Sequence, residues 1–160
     1  MSRKVLIIRH AKSVGGRHDK HLYPKEGAPL SDQGLKDVSK IRDYLIELGV
    51  DIESEPVAVS ELIRTRQTAE VAGFKTIKSY SVLNEVNTGL SPEELERMLQ
   101  IKLVPKEAIN RTKKLLENPP LENIWVTHGL LVAGLAELLR IPKEQLYIPD
   151  MASVTEITLT

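Results

Sequence analysis

The chain has no cysteine. That excludes a disulfide framework, a thiolate metal site and a cysteine nucleophile, and it suits a reducing, cytoplasmic location. It also lacks net charge, because 22 basic residues balance 22 acidic ones. No overall field draws it to nucleic acid or to an acidic membrane, so any anion must be recognised locally. Long apolar runs are missing too. The longest, Leu130 to Leu139, is broken by Gly134 and Glu137 and is far too short to span a bilayer. Arg3 and Lys4 open the chain, but the apolar run Val5–Ile8 behind them is too short for a signal peptide. There is no internal repeat and no low-complexity segment.

What is there reads as one globular domain over residues 1–160. The composition, 41% hydrophobic and 28% charged, is ordinary for a chain with a real core. Val5–Ile8 is an unbroken apolar run, the mark of a strand covered on both faces. A polar loop follows, from Ala11 to about Pro29. Ser31 is placed to cap a helix along which Leu35, Val38, Ile41, Leu45 and Leu48 recur at helical spacing, with Gly49 as the stop. Pro56–Val59 is a second strand ending in Ser60, and a helix over 62–72 is closed by Gly73. Thr76–Tyr80 is a weaker strand, and Leu83–Leu90 reads as a loop. Ser91-Pro92-Glu93-Glu94 has the chemistry of a helix start with a capping box. A helix over 106–117 is stopped by Pro119-Pro120. Asn123–Thr127 is a buried strand with Trp125 in the core, and His128-Gly129 leads into an apolar helix. Val154–Leu159 alternates as an edge strand does. Strands alternating with helices predict an α/β fold with a mainly parallel sheet and helices on both faces.

In such sheets ligands sit beyond the carboxyl ends of the strands. The first strand ends in Arg9-His10. The second ends in Ser60, with Arg64 and Arg66 in the next helical turn. The Trp125 strand ends in Thr127-His128-Gly129, and Glu85 lies in the loop after the third strand. If these strands are neighbours, two histidines, two or three arginines and an acid share one crevice. Taken singly, His128 reads as a helix cap and Arg66 as a solvated side chain. Taken together, the set suits phosphoryl transfer. Arginine forks match phosphate oxygens and stay charged, and a neutral imidazole is a competent nucleophile. A carboxylic acid then protonates the leaving alkoxide and activates water.

These residues resemble the histidine phosphatase superfamily, the phosphoglycerate mutase-like family. Five stretches carry the resemblance: Leu6-Ile7-Ile8-Arg9-His10-Ala11-Lys12-Ser13, Pro29-Leu30-Ser31-Asp32-Gln33-Gly34, Ser60 to Ala69, Leu83-Asn84-Glu85 with Gly89, and Thr127-His128-Gly129. They stand in the family's order across nearly the whole chain. The resemblance implies a three-layer α/β sandwich whose sheet is parallel apart from one strand. It implies that His10 becomes phosphohistidine, that Arg9, Arg64 and His128 hold the phosphoryl group, and that Glu85 donates the proton. No metal or cofactor is implied. Ser13, Gly16 and Gly129 fall in the phosphate-binding stretches. Gly15-Gly16 replaces an asparagine that touches phosphate in many relatives, so that contact is either missing or supplied by backbone N–H groups. Ala11 replaces the family glycine, and Arg-His-Ala-Lys-Ser is similar to the small phosphohistidine phosphatases.

The expected partner is thus a phosphorylated small molecule or a phosphohistidine protein. The short stretch between Glu85 and His128 counts against a mutase reaction, and the intact residue set counts against a non-catalytic phosphate-binding module. His18, Asp19 and His21 make a poor metal site with no fourth ligand. The loop from Arg17 to Lys25 reads either as a border of the entrance or as a solvated loop.

Overall fold

The computed structural model describes residues 2–14 and 27–160. Gly15, Gly16 and the loop from Arg17 to Lys25, with its His18–His21 set, lie outside the described residues. The elements run β1 (Arg3–Arg9), α1 (Asp32–Glu47), β2 (Val57–Val59), α2 (Ile63–Ala72), β3 (Ile77–Ser79), α3 (Pro92–Gln100), α4 (Lys106–Glu117), β4 (Ile124–Thr127), α5 (Gly129–Leu138) and β5 (Val154–Leu159).

Among the described residues five strands form one sheet in the order β3-β2-β4-β1-β5. β1, β4, β2 and β3 are parallel, and β5 pairs antiparallel with β1 at the edge. The expected α/β architecture, mainly parallel with one reversed strand, is the one observed. Period-two alternation divides the core. Val5, Ile7, Ala58 and Trp125 face one cluster with α4 and α5, while Ile8, Val57, Val59, Ile124 and Val126 face the other with α1 and α2. Among the described residues no helix is long and apolar enough to cross a membrane.

Local chemistry explains most boundaries. Ser31 Oγ accepts the Gly34 N–H at 3.0 Å and starts α1. Gly73, at φ +110°, closes α2. Ser91 Oγ accepts the Glu94 N–H and Pro92 opens α3, so the Ser91 half of the capping box forms. From Gly129 to Ala136 α5 is apolar and buried on all sides, and exposed Glu137 marks its last turn. It meets α4 at Gly134, where a Cβ would lie 2.6 Å from Thr112 Oγ1 and 2.7 Å from the Ala108 carbonyl.

Two readings of the sequence are corrected. Leu35 and Leu48 are 41% and 45% exposed. The buried stripe of α1 is Gly34, Val38, Ile41 and Leu45, and Leu35 is turned about 100° from it by standing one residue on. The segment expected as a loop over Leu83–Leu90 is a loop from Asn84 on, entered through a short 3-10 turn, Ser81–Leu83.

Candidate active site

The carboxyl ends of β1, β4 and β2 lie side by side, which brings His10, His128 and Ser60 to one edge of the sheet. His10 is 6% exposed. Its Nδ1 is 2.7 Å from the Ala11 carbonyl, which only accepts, so Nδ1 carries the ring proton. The lone pair is then on Nε2, where the Arg64 Nε–H points at 3.2 Å. Both contacts specify the same tautomer.

The His128 ring lies 5.1 Å from the His10 ring, centroid to centroid, tilted by 58°. His128 is fully buried, with Nε2 2.9 Å from Ser60 Oγ. Its Nδ1 is 3.6 Å from Glu85 Oε2. Glu85 Oε2 also accepts from Arg64 Nη2 at 3.3 Å. One carboxylate oxygen therefore touches both the arginine and the second histidine, while the Glu85 side chain remains 39% exposed. Of the three arginines only two reach this edge. Arg66 is exposed and donates to Ser79 Oγ at 2.6 Å, as its solvated reading anticipates.

Arg9 stands across the β1–β4 pair and donates from Nη1 to the Pro149 carbonyl at 2.6 Å. Its guanidinium packs on Gly129 so closely that a Cβ there would sit 3.0 Å from Arg9 Cζ. Glycine at 129 is thus a condition for the place of Arg9. Ala152, at φ +57°, turns its N–H toward the carbonyls of Arg9 and His10. Ser13 pairs its backbone with Leu30, and among the described residues no hydrogen bond joins its side chain to the cluster. Sequence reading overlooked several supports. Ser60 and Thr65 brace His128, Thr68 Oγ1 accepts the Ala11 N–H at 3.1 Å, and Arg111 holds the Asn84 carbonyl at 3.0 Å beside Glu85. The first three sit in the Ser60 to Ala69 stretch, where their motif positions were the available signal.

The sequence matches the family profile described as histidine phosphatase superfamily (branch 1) over residues 5–123, well over half of the chain. The chain belongs to the histidine phosphatase superfamily. No curated protein matches it. It is similar in structure to TTHB049 from Thermus thermophilus, with 19% identity, a TM-score of 0.66, and 97% of this chain and 93% of that one covered. It is also similar to mycobacterial hydrolase 1, with 18% identity, a TM-score of 0.62, and 99% and 91% covered. The Rv3214 product of Mycobacterium tuberculosis gives 16% identity, a TM-score of 0.64, and 96% and 90% covered. At such identities these likenesses establish the fold. The matched profile stops before His128, so that residue joins the cluster through its geometry and the resemblance of Thr127-His128-Gly129.

In this cluster both imidazoles are held neutral. Burial pushes His10 down to about 3, with Arg64 and Arg9 adding to the shift against the Ala11 bond. Burial also lowers His128, helped by His10, Arg64, Arg9 and Arg111. Burial lowers Arg64 too, and Glu85 opposes that. A consequence for stability follows by linkage. Below 6.5 the unfolded chain takes up a proton that native His10 refuses until about 3, so stability is full above 6.5 and lost as the pH falls. At about 1.4 kcal/mol per pH unit, acidification from ~6.5 to ~5 removes about 2 kcal/mol through His10 alone. His128 acts in the same direction. Urea denaturation at both pH values checks this, and unchanged stability across that window would refute it.

Proposed function

We propose that the protein is a phosphatase that hydrolyses phosphomonoesters through a phosphohistidine on His10. The observation that carries the reading is the tautomer of His10, with Nδ1–H held by Ala11 and the Nε2 lone pair turned toward Arg64. Arg9 and Arg64 neutralise the dianion, and together with neutral His128 they present donors to its equatorial oxygens. The first N–H groups of α5, which has no side-chain cap, add to the anion site. Nε2 attacks phosphorus, the Nε2–P bond forms, and the ester P–O bond breaks. Glu85, at the solvent edge, gives the departing oxygen its proton. It then takes a proton from water as the water oxygen bonds to phosphorus. The N–P bond breaks, and phosphate and neutral His10 are released. Arginine supplies the cationic clamp throughout, so turnover is expected in the presence of a chelator.

Glu85 decides between small esters and a protein phosphohistidine as substrate. An alkoxide needs an acid to leave, whereas an imidazole is a better leaving group. For an ester-directed enzyme, Glu85→Gln is expected to cut hydrolysis of an alkyl phosphate by about a hundredfold. The test sets a panel of phosphorylated metabolites against one phosphohistidine carrier protein, with and without that substitution. Turnover confined to the carrier and indifferent to Glu85→Gln makes the protein a phosphohistidine phosphatase instead. Absence of hydrolysis across both arms overturns the enzymatic reading.

A further inference from the structure

The steps above leave the Ser60–Thr65 hydroxyl pair without a task. Both residues are completely buried, as is His128. Ser60 Oγ lies 2.9 Å from His128 Nε2 and 2.7 Å from Thr65 Oγ1, and it accepts the Leu62 N–H at 3.2 Å. Each hydroxyl has one proton, so two patterns satisfy the network. In one, Thr65 donates to Ser60 and Ser60 donates to Nε2, which leaves the ring proton on Nδ1. In the other, Thr65 donates to the Leu62 carbonyl at 2.8 Å, Ser60 donates to Thr65, and Nε2–H donates to Ser60. Nδ1 then bears a lone pair.

The surroundings of Nδ1 choose between them. That nitrogen is buried and has no hydrogen-bond partner among the described residues, and Glu85 Oε2 is 3.6 Å away. A lone pair there would face a carboxylate oxygen in a site of low dielectric, whereas an N–H is attracted to it. We infer that Ser60, braced by Thr65, is a positioning residue that, with Glu85 beside Nδ1, holds neutral His128 as the Nδ1–H tautomer. His128 then donates into the crevice without carrying a charge. That the recipient is a phosphoryl oxygen rests on the phosphatase reading, whereas the tautomer does not.

Nitrogen-15 NMR of the imidazoles at neutral pH tests the tautomer in wild type and in Ser60→Ala, with kcat and KM measured on p-nitrophenyl phosphate. The wild type is expected to show His128 Nε2 unprotonated and Nδ1 protonated. Ser60→Ala is expected to lose that preference and to lower kcat roughly tenfold, with KM changed less than about twofold, the loss of one hydrogen bond that matters in the transition state. Protonated Nε2 in the wild type, or an unchanged tautomer in Ser60→Ala, overturns the inference. A changed tautomer with kcat intact overturns the claim that this donor serves the reaction. The expected wild-type spectrum in a protein that hydrolyses nothing supports the tautomer and removes the phosphatase reading. Should Ser60→Ala not fold, the wild-type spectrum decides alone.

Discussion

Replacing His10 with alanine is expected to lower turnover by at least about 10⁴-fold, the scale on which loss of a nucleophile acts. A covalent phosphate that is labile in acid and stable in base should disappear with it. The competing nucleophile is His128, one ring away. Its Nε2 is occupied by Ser60, and its Nδ1 stands beside the Glu85 carboxylate, which repels an incoming phosphate dianion when ionised. His10 escapes the second handicap, because its Nε2 lone pair meets a guanidinium, which attracts the dianion and gives up its hydrogen bond as phosphorus arrives. The check is to mix enzyme with a labelled phosphate donor, quench in alkaline denaturant and locate the label by peptide mapping. Label on His128, or label that persists in His10→Ala, would remove His10 from its assigned role.

The second large effect concerns Gly34. In an exposed helix, glycine to alanine gains about 1 kcal/mol. Here the sign should reverse. Gly34 lies in the first turn of α1 directly against the Lys12 carbonyl, and a Cβ at that point would fall on the carbonyl oxygen. The obstacle is backbone, and it is pinned by the Ser31 N–H at 2.9 Å and the Ser31 hydroxyl at 3.1 Å. Gly34→Ala is expected to cost about 3 kcal/mol and to lower Tm by roughly 6–12 °C. Lys12 follows Ala11, whose carbonyl sets the His10 tautomer, so kcat should fall as well. Calorimetry beside Ser39→Ala, on the exposed face of the same helix, isolates the effect. A Gly34→Ala variant as stable as the parent would mean that the two backbones are not in contact.

The parts of the site that were legible in the sequence share one property, which is that their side chains and their local pattern agree. β1 and β4 are unbroken apolar runs, so pattern alone puts Arg9-His10 and Thr127-His128-Gly129 at strand ends. Glu85 was legible as an acid in the right loop. Its contact with Arg64 and His128 depends on where the 3-10 turn and Arg111 set that loop, which has no local signature. The grip on Arg9 was invisible for a plainer reason. The Pro149 carbonyl that receives it is a backbone group 140 residues away, and backbone groups look alike in any sequence. Leu35 misled because it has the right type and the wrong phase beside the stripe, and Leu48 because it keeps the phase but lies at the C-cap, past the end of α1.

The position of β1 in the sheet also governs the order of assembly. β1 precedes the other strands in the chain, yet among the described residues it pairs only with β4 and β5, which follow all the rest. During synthesis β2 and β3 can come together early, while the strand that carries His10 has no neighbour to bond until more than a hundred residues have followed. Pairing across such separations is slow, because the loop must close before the contact rewards it. β1 is thus the first strand made and among the last seated, and the crevice is complete only when β5 has locked the sheet from its far edge.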